Sequence, residues 1–415
     1  RSESRTAVEK DGAMESSAQP TLEARIATLE TELQRLKAER LASLGRRPKP
    51  LDGIRVFDLS RLIFGPFCTQ ILADMGAEVL KVEPRTGDQA RRSGTVFLQG
   101  ESVSFLARNR NKRSMILDLR KLEAQAIAQQ LVQRSDILVH NFRPGVMTRL
   151  GLDAGRLRAL NPRLIYCALS GYGQSGPRAD WAGQDLLIQA MSGIVSTTGW
   201  EGGPPVTVGT YIADMVGALT AVNAIMMALQ ARNQYGIGQE VHVSLLDAMI
   251  AAQSMEATVY LNSGELPGKS GSGHWQAAQP YAIFHTQDRD LAVNALSDDW
   301  WQRLCTAPEF APLAHDARFA TREARALHGE ALRDLLQSIF VTKTRDVWID
   351  YLGTFDVLRA PVYNYAEVFA DPQVQHNGMV VEQHHPSVGA IKVINTPMQL
   401  SDTPADVGPA APRLG

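Results

Sequence analysis

Residues 51–84 read LDGIRVFDLSRLIFGPFCTQILADMGAEVLKVEP. The first ten residues hold a short apolar run rich in β-branched and aromatic side chains, which predicts a buried strand. A turn through Gly65 and Pro66 leads into a run with helical spacing, and AEVLKVEP then alternates as a second strand. Strand, helix and strand in succession form a βαβ unit, which pairs its strands in parallel.

Further strands are predicted at SMILDL (114–119), DILVHNF (136–142) and RLIYCALSGYG (163–173), separated by helical segments such as LEAQAIAQQLVQRS. This alternation predicts an α/β fold with a doubly wound parallel sheet and helices on both faces. DMVGALTAVNAIMMALQA (214–231) reads as a long buried helix, and GQEVHVSLLDAMIAA adds a strand and another helix. The expected division has a large Rossmann-like domain beginning at 51–235, a linker and helix at 236–271, a smaller α+β domain at 272–350, and a return to the large domain at 351–415. The glycine- and serine-rich ELPGKSGSG (265–273) predicts a mobile loop or boundary.

Residues 1–50 stand apart. The polar stretch 1–20 is expected to be disordered. Leu22, Ile26, Leu29, Leu33 and Leu36 then follow a 4-3-4-3 spacing, the a/d seam of a helix. Two readings stay open for it: an amphipathic helix docked on its own domain, or a short coiled coil with a partner chain. GRRPKP (45–50) reads as a linker.

With 415 residues, 44% hydrophobic and 21% charged, the chain can bury a large core and a second smaller one. A net charge of -2 gives no general attraction to nucleic acid or to anionic membranes. No apolar run approaches the ~20 residues of a membrane span. Cys68, Cys167 and Cys305 lack metal or disulfide spacing, which predicts a reducing, cytoplasmic setting. The one GxGxxG match, GYGQSG (171–176), runs into Pro177 instead of opening a helix, and neither a P-loop nor a GxSxG elbow nor an HExxH pair occurs. No metal site is expected, and adjacent His384 and His385 before Pro386 read as a solvated turn.

Six segments carry a resemblance when taken in order: the 51–84 stretch, NRNKRSMILDL, LVHNFRPGVMTRLGL, NPRLIYCALSGYGQSGP, GQDLLIQAMSG and ADMVGALTA, followed by DPQVQHNGMV and APRLG near the end. Together they resemble the family III CoA-transferases, a group that includes formyl-CoA, carnitine and succinyl-CoA-dependent transferases and the alpha-methylacyl-CoA racemases. The resemblance implies ring-shaped subunits in an interlocked homodimer, a heteromer with a related subunit being the alternative. It implies coenzyme A as a substrate and no permanently bound cofactor. Relatives continue past APRLG into a final helix, so one packing element is expected to be missing.

In that pattern Asp214 resembles the covalent nucleophile; a helix N-cap is the competing reading. Asp185 resembles the family's second acidic residue, with a helix cap again competing. Gln184 stands where racemases carry a histidine, and an amide cannot take the proton alpha to a thioester. Transfer of CoA between carboxylic acids is therefore the expected activity, with a racemase-type isomerase or a non-catalytic CoA-binding subunit as alternatives. CoA contacts are implied at Ile63 and Phe64, at Leu117, Asp118, Leu119 and Arg120, at Asn141, Phe142 and Arg143, and at Arg149. Phe64 and Pro84 depart from the usual residues there. GSGHWQ (271–276), with Gly271, Gly273 and His274, resembles a glycine-rich segment that closes over the nucleophile. Arg61 is a candidate partner for the second carboxylate of a dicarboxylic acid such as succinate, whereas Trp275 and Phe64 would suit a bulky acid.

Overall fold

The structure, a computed structural model, describes residues 21–43 and 45–415. The tail expected to be disordered, 1–20, lies outside the described residues. The described residues divide into two units, one drawn from 21–49 with 400–404 and one spanning 50–399 with 405–415.

In the first unit, helix α1 runs over Leu22–Ser43. Thr21 Oγ1 accepts a hydrogen bond from the Ala24 amide at 3.2 Å, satisfying one of the donors that a helix start leaves free. Among the described residues α1 buries none of its side chains, and its whole apolar seam is exposed.

The second unit is organised by a six-stranded sheet. Its strands are β1 (Arg55–Asp58), β2 (Glu78–Glu83), β3 (Lys112–Ile116), β4 (Ile137–His140), β5 (Ile165–Ser170) and β6 (Glu240–Ser244), all pairing in parallel in the order β3-β2-β1-β4-β5-β6. That is a doubly wound order, the sheet class that the alternation of strands and helices predicts. Alternation along the strands explains why both faces are covered. Val56, Ile137, Val139, Ile165, Cys167 and Leu169 share a core with α2 (Phe64–Asp74) and a long helix over Ile212–Tyr235. Phe57, Leu138, Tyr166 and Ala168 face the opposite way, onto α3 (Leu122–Gln133) and α4 (Ala154–Leu160). Between β5 and β6 the chain forms α5 (Asp185–Met191) and then the long helix, α6 (Ile212–Tyr235); α7 (Leu245–Ala252) follows β6. In length and apolarity α6 matches a membrane span, but it buries Ala213, Gly217, Ala218, Ala221, Ile225 and Leu229 in this core.

A second core lies on an antiparallel sheet of β7 (Tyr281–His285), β8 (Asp290–Asn294) and β9 (Leu358–Pro361). Phe284, Leu291, Trp301, Phe310, Phe340 and Trp348 fill it, and Trp348 Nε1 donates to the Phe340 carbonyl at 2.8 Å. Because β9 pairs with β8, the chain leaves this sheet after Pro361, later than the expected return near 351. A hairpin of β10 (Val380–His385) and β11 (Gly389–Ile394) follows. This corrects the reading of His384 and His385 as a solvated turn: both end a strand, and His385 is buried.

Candidate active site

In a doubly wound sheet the strand order reverses between β1 and β4, and a crevice opens beyond their carboxyl ends. The loop Ser60–Ile63 fills the rim of that crevice and is fixed residue by residue. Asp58 Oδ1 accepts from the Ser60 amide at 2.9 Å and from its hydroxyl at 2.5 Å. Asn141, just past β4, accepts from the Arg61 amide and donates to the Arg61 carbonyl, both at 2.8 Å. Asp88 Oδ1 accepts from the Leu62 amide at 3.1 Å, and Leu62 is held at φ 66°, a left-handed conformation that costs a non-glycine residue roughly 1–3 kcal/mol.

Two buried lysines face these carboxylates. Lys81 Nζ lies 2.8 Å from Asp88 and donates to the Ser60 carbonyl at 2.8 Å; Lys112 Nζ lies 3.2 Å from Asp58. Burial pushes the Asp58 carboxyl up, but the charges of Lys112 and Lys81 and the bonds from Ser60 and Thr69 outweigh it and bring it below its ordinary range.

Behind this loop is a cavity of about 300 Å³ lined by Arg61, Leu62, Ile63, Phe64, Asn141, Gln184, Asp185, Tyr211 and Asp214 among others. Asp214 is not an N-cap. Tyr211 occupies that position, and Asp214 sits in the first turn of α6. The cap is supplied from outside: Asp185 Oδ1 accepts from the Ala213 amide at 2.8 Å and from the Asp214 amide at 3.3 Å. Its other oxygen accepts from Gln189 Nε2 at 2.6 Å, one helical turn along, and Gln189 Oε1 accepts in turn from the Val208 amide at 2.9 Å. Asp185 is thus the first residue of its own helix and the cap of the next. Gln184 precedes it as N-cap residue without a capping side-chain bond, and it lines the cavity.

Gln184 and Asp185 are set relative to the sheet by a backbone contact. A Cβ on Gly171, just past β5, would lie 2.5 Å from Gly183 Cα, so neither position has room for a methyl group.

Desolvation raises the Asp214 carboxyl, the charge of Asp185 raises it further, and Arg108 partly offsets both; the result is a pKa pushed up to about 7. A carboxylate displaced this far and half-buried in a cleft is a candidate functional group. Arg108 is oriented by bonds from its Nη1 to the Ser104 carbonyl and hydroxyl, both at 3.0 Å.

Of the expected site residues, Ile63, Phe64, Asn141, Gln184, Asp185 and Asp214 come together in this cavity. Leu117, Asp118, Leu119, Arg120 and Phe142 line an adjoining apolar one of about 360 Å³ with Leu59, Val82 and Val146. Arg61 borders both, its guanidinium 4.6 Å from the Phe142 ring centroid. Arg120 is exposed and bonded to Asp118 at 2.8 Å; Arg143 and Arg149 are exposed and line neither cavity. The glycine-rich segment is elsewhere. Gly271 bridges to Gly199, His274 Nε2 lies 2.9 Å from Glu256, and both border a polar cavity with Trp200, Lys269 and Arg333. Gly273 packs against the Tyr281 carbonyl.

Arg108, Tyr211, Gln189, Asp88 and the buried Asp58, Lys81 and Lys112 escape a reading of the sequence alone. Gln189 had a signal, standing four residues after Asp185 on a helix, within reach of its carboxylate. Arg108 is one of four cations within FLARNRNKRS and has nothing to single it out.

Comparison with known proteins gives a consistent picture. A family model described as CoA-transferase family III matches residues 51–415. A succinate–glutarate CoA-transferase from Agrobacterium fabrum is 36% identical over 90% of this chain and 95% of its own length. A succinyl-CoA–D-citramalate CoA-transferase from Chloroflexus aurantiacus is 36% identical over 89% of this chain and 92% of its own. The crystal structure of a CAIB/BAIF family protein from Brucella suis superposes with a TM-score of 0.80 at 34% identity, covering 89% of this chain and 97% of that one.

Proposed function

The chain belongs to CoA-transferase family III, and on that premise we propose that Asp214 carries first the acyl group and then the CoA. An Asp214 oxygen attacks the carbonyl carbon of the acyl-CoA donor, forming a mixed anhydride and expelling CoA thiolate. The thiolate attacks the aspartyl carbonyl, giving an aspartyl-CoA thioester and releasing the donor acid as its carboxylate. The acceptor carboxylate then attacks that thioester, and the thiolate set free attacks the acceptor's acyl carbon in the new anhydride. A new acyl-CoA leaves and Asp214 is regenerated. Donor and product thioesters are close in energy, so the cycle runs both ways, provided that water is kept from the anhydride.

The observation that carries this reading is the state of Asp214: a desolvated carboxylate lining the switch-point cavity, with its helix capped by a different residue. Desolvation leaves an anion poorly satisfied and hence a better nucleophile. Asp185 acts through Asp214, setting the helix start and the local charge. Gln184 offers an amide donor to an acyl or carboxylate oxygen and no base for proton abstraction, which favours transfer over racemisation.

CoA lies along the crevice, its pantetheine thiol at Asp214 and its nucleotide toward the apolar cavity of residues 117–120 and Phe142, with Arg120, Arg143 and Arg149 as cations for the phosphates. The donor is succinyl-CoA and the acceptor a dicarboxylic acid. Both relatives described above carry succinate or succinyl-CoA with a diacid in their names, and Arg61 is a cation at the mouth for a second carboxylate. The enzyme acts in the cytoplasm as a homodimer. Three buried free cysteines support the first statement, and an apolar groove of about 770 Å³ lined by Leu106, Phe369, Val380 and Ile391 supports the second.

The test is mass spectrometry of protein incubated with succinyl-CoA and quenched with hydroxylamine or borohydride. A hydroxamate or alcohol at Asp214 is expected. Its absence with succinyl-CoA and with every other donor tried refutes the covalent route.

A further inference from the structure

Helix α1 lies outside the region matched to the family, and its seam has a complete heptad register. Placing Leu22, Leu29 and Leu36 at d puts Ile26, Leu33 and Arg40 at a. The five apolar residues of this seam are 46–70% exposed. Leucine at every d position with β-branched Ile26 at one a position suits two strands, and the single charged a position, Arg40, pins the register. The e positions are then Glu23, Glu30 and Lys37, and the g positions Arg25, Glu32 and Glu39.

Charge selects the partner. In a parallel pair each g residue faces the e residue five positions on in the other helix. With a second copy of this chain that brings Arg25 to Glu30 and Glu32 to Lys37, each twice, and every pair is attractive. In an antiparallel pair aligned to keep the apolar layers, e faces e and g faces g, which makes attractive pairs of Arg25 with Glu39 and of Glu23 with Lys37 at the ends but sets Glu30 against Glu30 and Glu32 against Glu32 at the centre, repulsions that the parallel pair lacks. Arg35, at c, already lies 2.6 Å from Glu32 and 2.5 Å from Glu39 within one helix and stays off the seam. Arg25 and Glu30 have no charged residue three or four positions away, so their charges are free of intrahelical partners of that kind.

The geometry points to α1 as a parallel, two-stranded coiled coil with a second copy of this chain. At 22 residues it spans about 33 Å, or roughly three heptads. So short a coil is marginal alone, and pairing of the catalytic portions would raise its effective concentration to the millimolar range.

The test uses the full chain with Leu29→Cys, which sets two thiols against each other across a d layer, and Ala38→Cys, an f position on the outside, as reference. The native cysteines are buried, so the parent chain is the blank. Mild oxidation should link the Leu29→Cys protein into a dimer that thiol reductant reverses, leaving Ala38→Cys monomeric on a denaturing gel. Adding Arg25→Glu should slow linkage about fivefold, and the swap Arg25→Glu with Glu30→Arg should restore it, because only the parallel register rebuilds that pair. Equal linkage at both positions, or none at Leu29→Cys, overturns the pairing with a second copy. Linkage that the swap fails to restore overturns the parallel register.

Discussion

Replacing Asp214 with asparagine should abolish transfer and at the same time stabilise the fold at neutral and alkaline pH. The carboxyl has an ordinary value of 3.8 and is pushed up to about 7 in the folded protein by burial and by Asp185. The folded chain therefore holds that proton more tightly than the unfolded one, and folding becomes less favourable as pH rises between the two values. Below about pH 4 both states are protonated and there is no penalty; above about pH 7 the penalty is complete. At 1.36 kcal/mol per unit of pKa it amounts to roughly 4 kcal/mol at about pH 8 and roughly 2 kcal/mol at about pH 5. The substituted amide is neutral throughout and escapes it, while the titrating groups that do not interact with Asp214 are common to both proteins and cancel. Urea denaturation of parent and Asp214→Asn at several pH values measures the difference directly. The expected gain is at least ~1 kcal/mol at alkaline pH and shrinks toward zero in acid. A variant that is no more stable than its parent above pH 7, or whose advantage does not fall as the pH is lowered, refutes the assignment of Asp214 as a strained, desolvated carboxylate.

Transfer by the parent enzyme should fall with pH below about 7, with kcat/KM tracking ionised Asp214, as read in a pH–rate profile. Arg108→Ala removes the charge that pulls the Asp214 carboxyl down, so the same profile should move to higher pH. Asp185→Ala leaves the Ala213 and Asp214 amides without their acceptor; it should cost about 1–2 kcal/mol in denaturation and reduce kcat more than it changes KM. Gly217→Ala would set a Cβ 2.5 Å from Leu245 and 2.9 Å from the Phe64 ring, so calorimetry should show a loss of about 1–3 kcal/mol and the KM for acyl-CoA should rise.

The sheet was legible because its signal is local. Each strand of the large domain is a short apolar run between a turn and a helical segment, and residues 51–84 alone imply parallel pairing. The later return of the chain was not legible, since LRAP (358–361) resembles many loop segments and becomes a strand only by pairing with β8. His385 was misplaced for a similar reason: two histidines before a proline are polar in sequence, and only the hairpin buries one of them. In the site, Asp214, Asp185, Gln184 and Asn141 could be named from their segments. What each does could not. Asn141 clamps the Arg61 backbone across 80 positions of sequence, and Asp185 caps a helix that begins 27 residues later; both depend on a sheet that brings distant segments together.

The placement of Asp185 beside Asp214 has a kinetic corollary. On the covalent route proposed above, acylation would replace the Asp214 anion with a neutral anhydride and then a neutral thioester, and the repulsion between the two carboxylates would end at that moment. The resting enzyme thus sits on an electrostatic shelf, and the intermediates lie lower relative to it than the same adducts would relative to a carboxylate in water. A step that begins from a raised ground state and arrives at an uncharged adduct is faster in the forward sense. The same relief accompanies attack of free Asp214 on either acyl-CoA, so the forward and reverse reactions share it, and the balance between the two thioesters is left untouched.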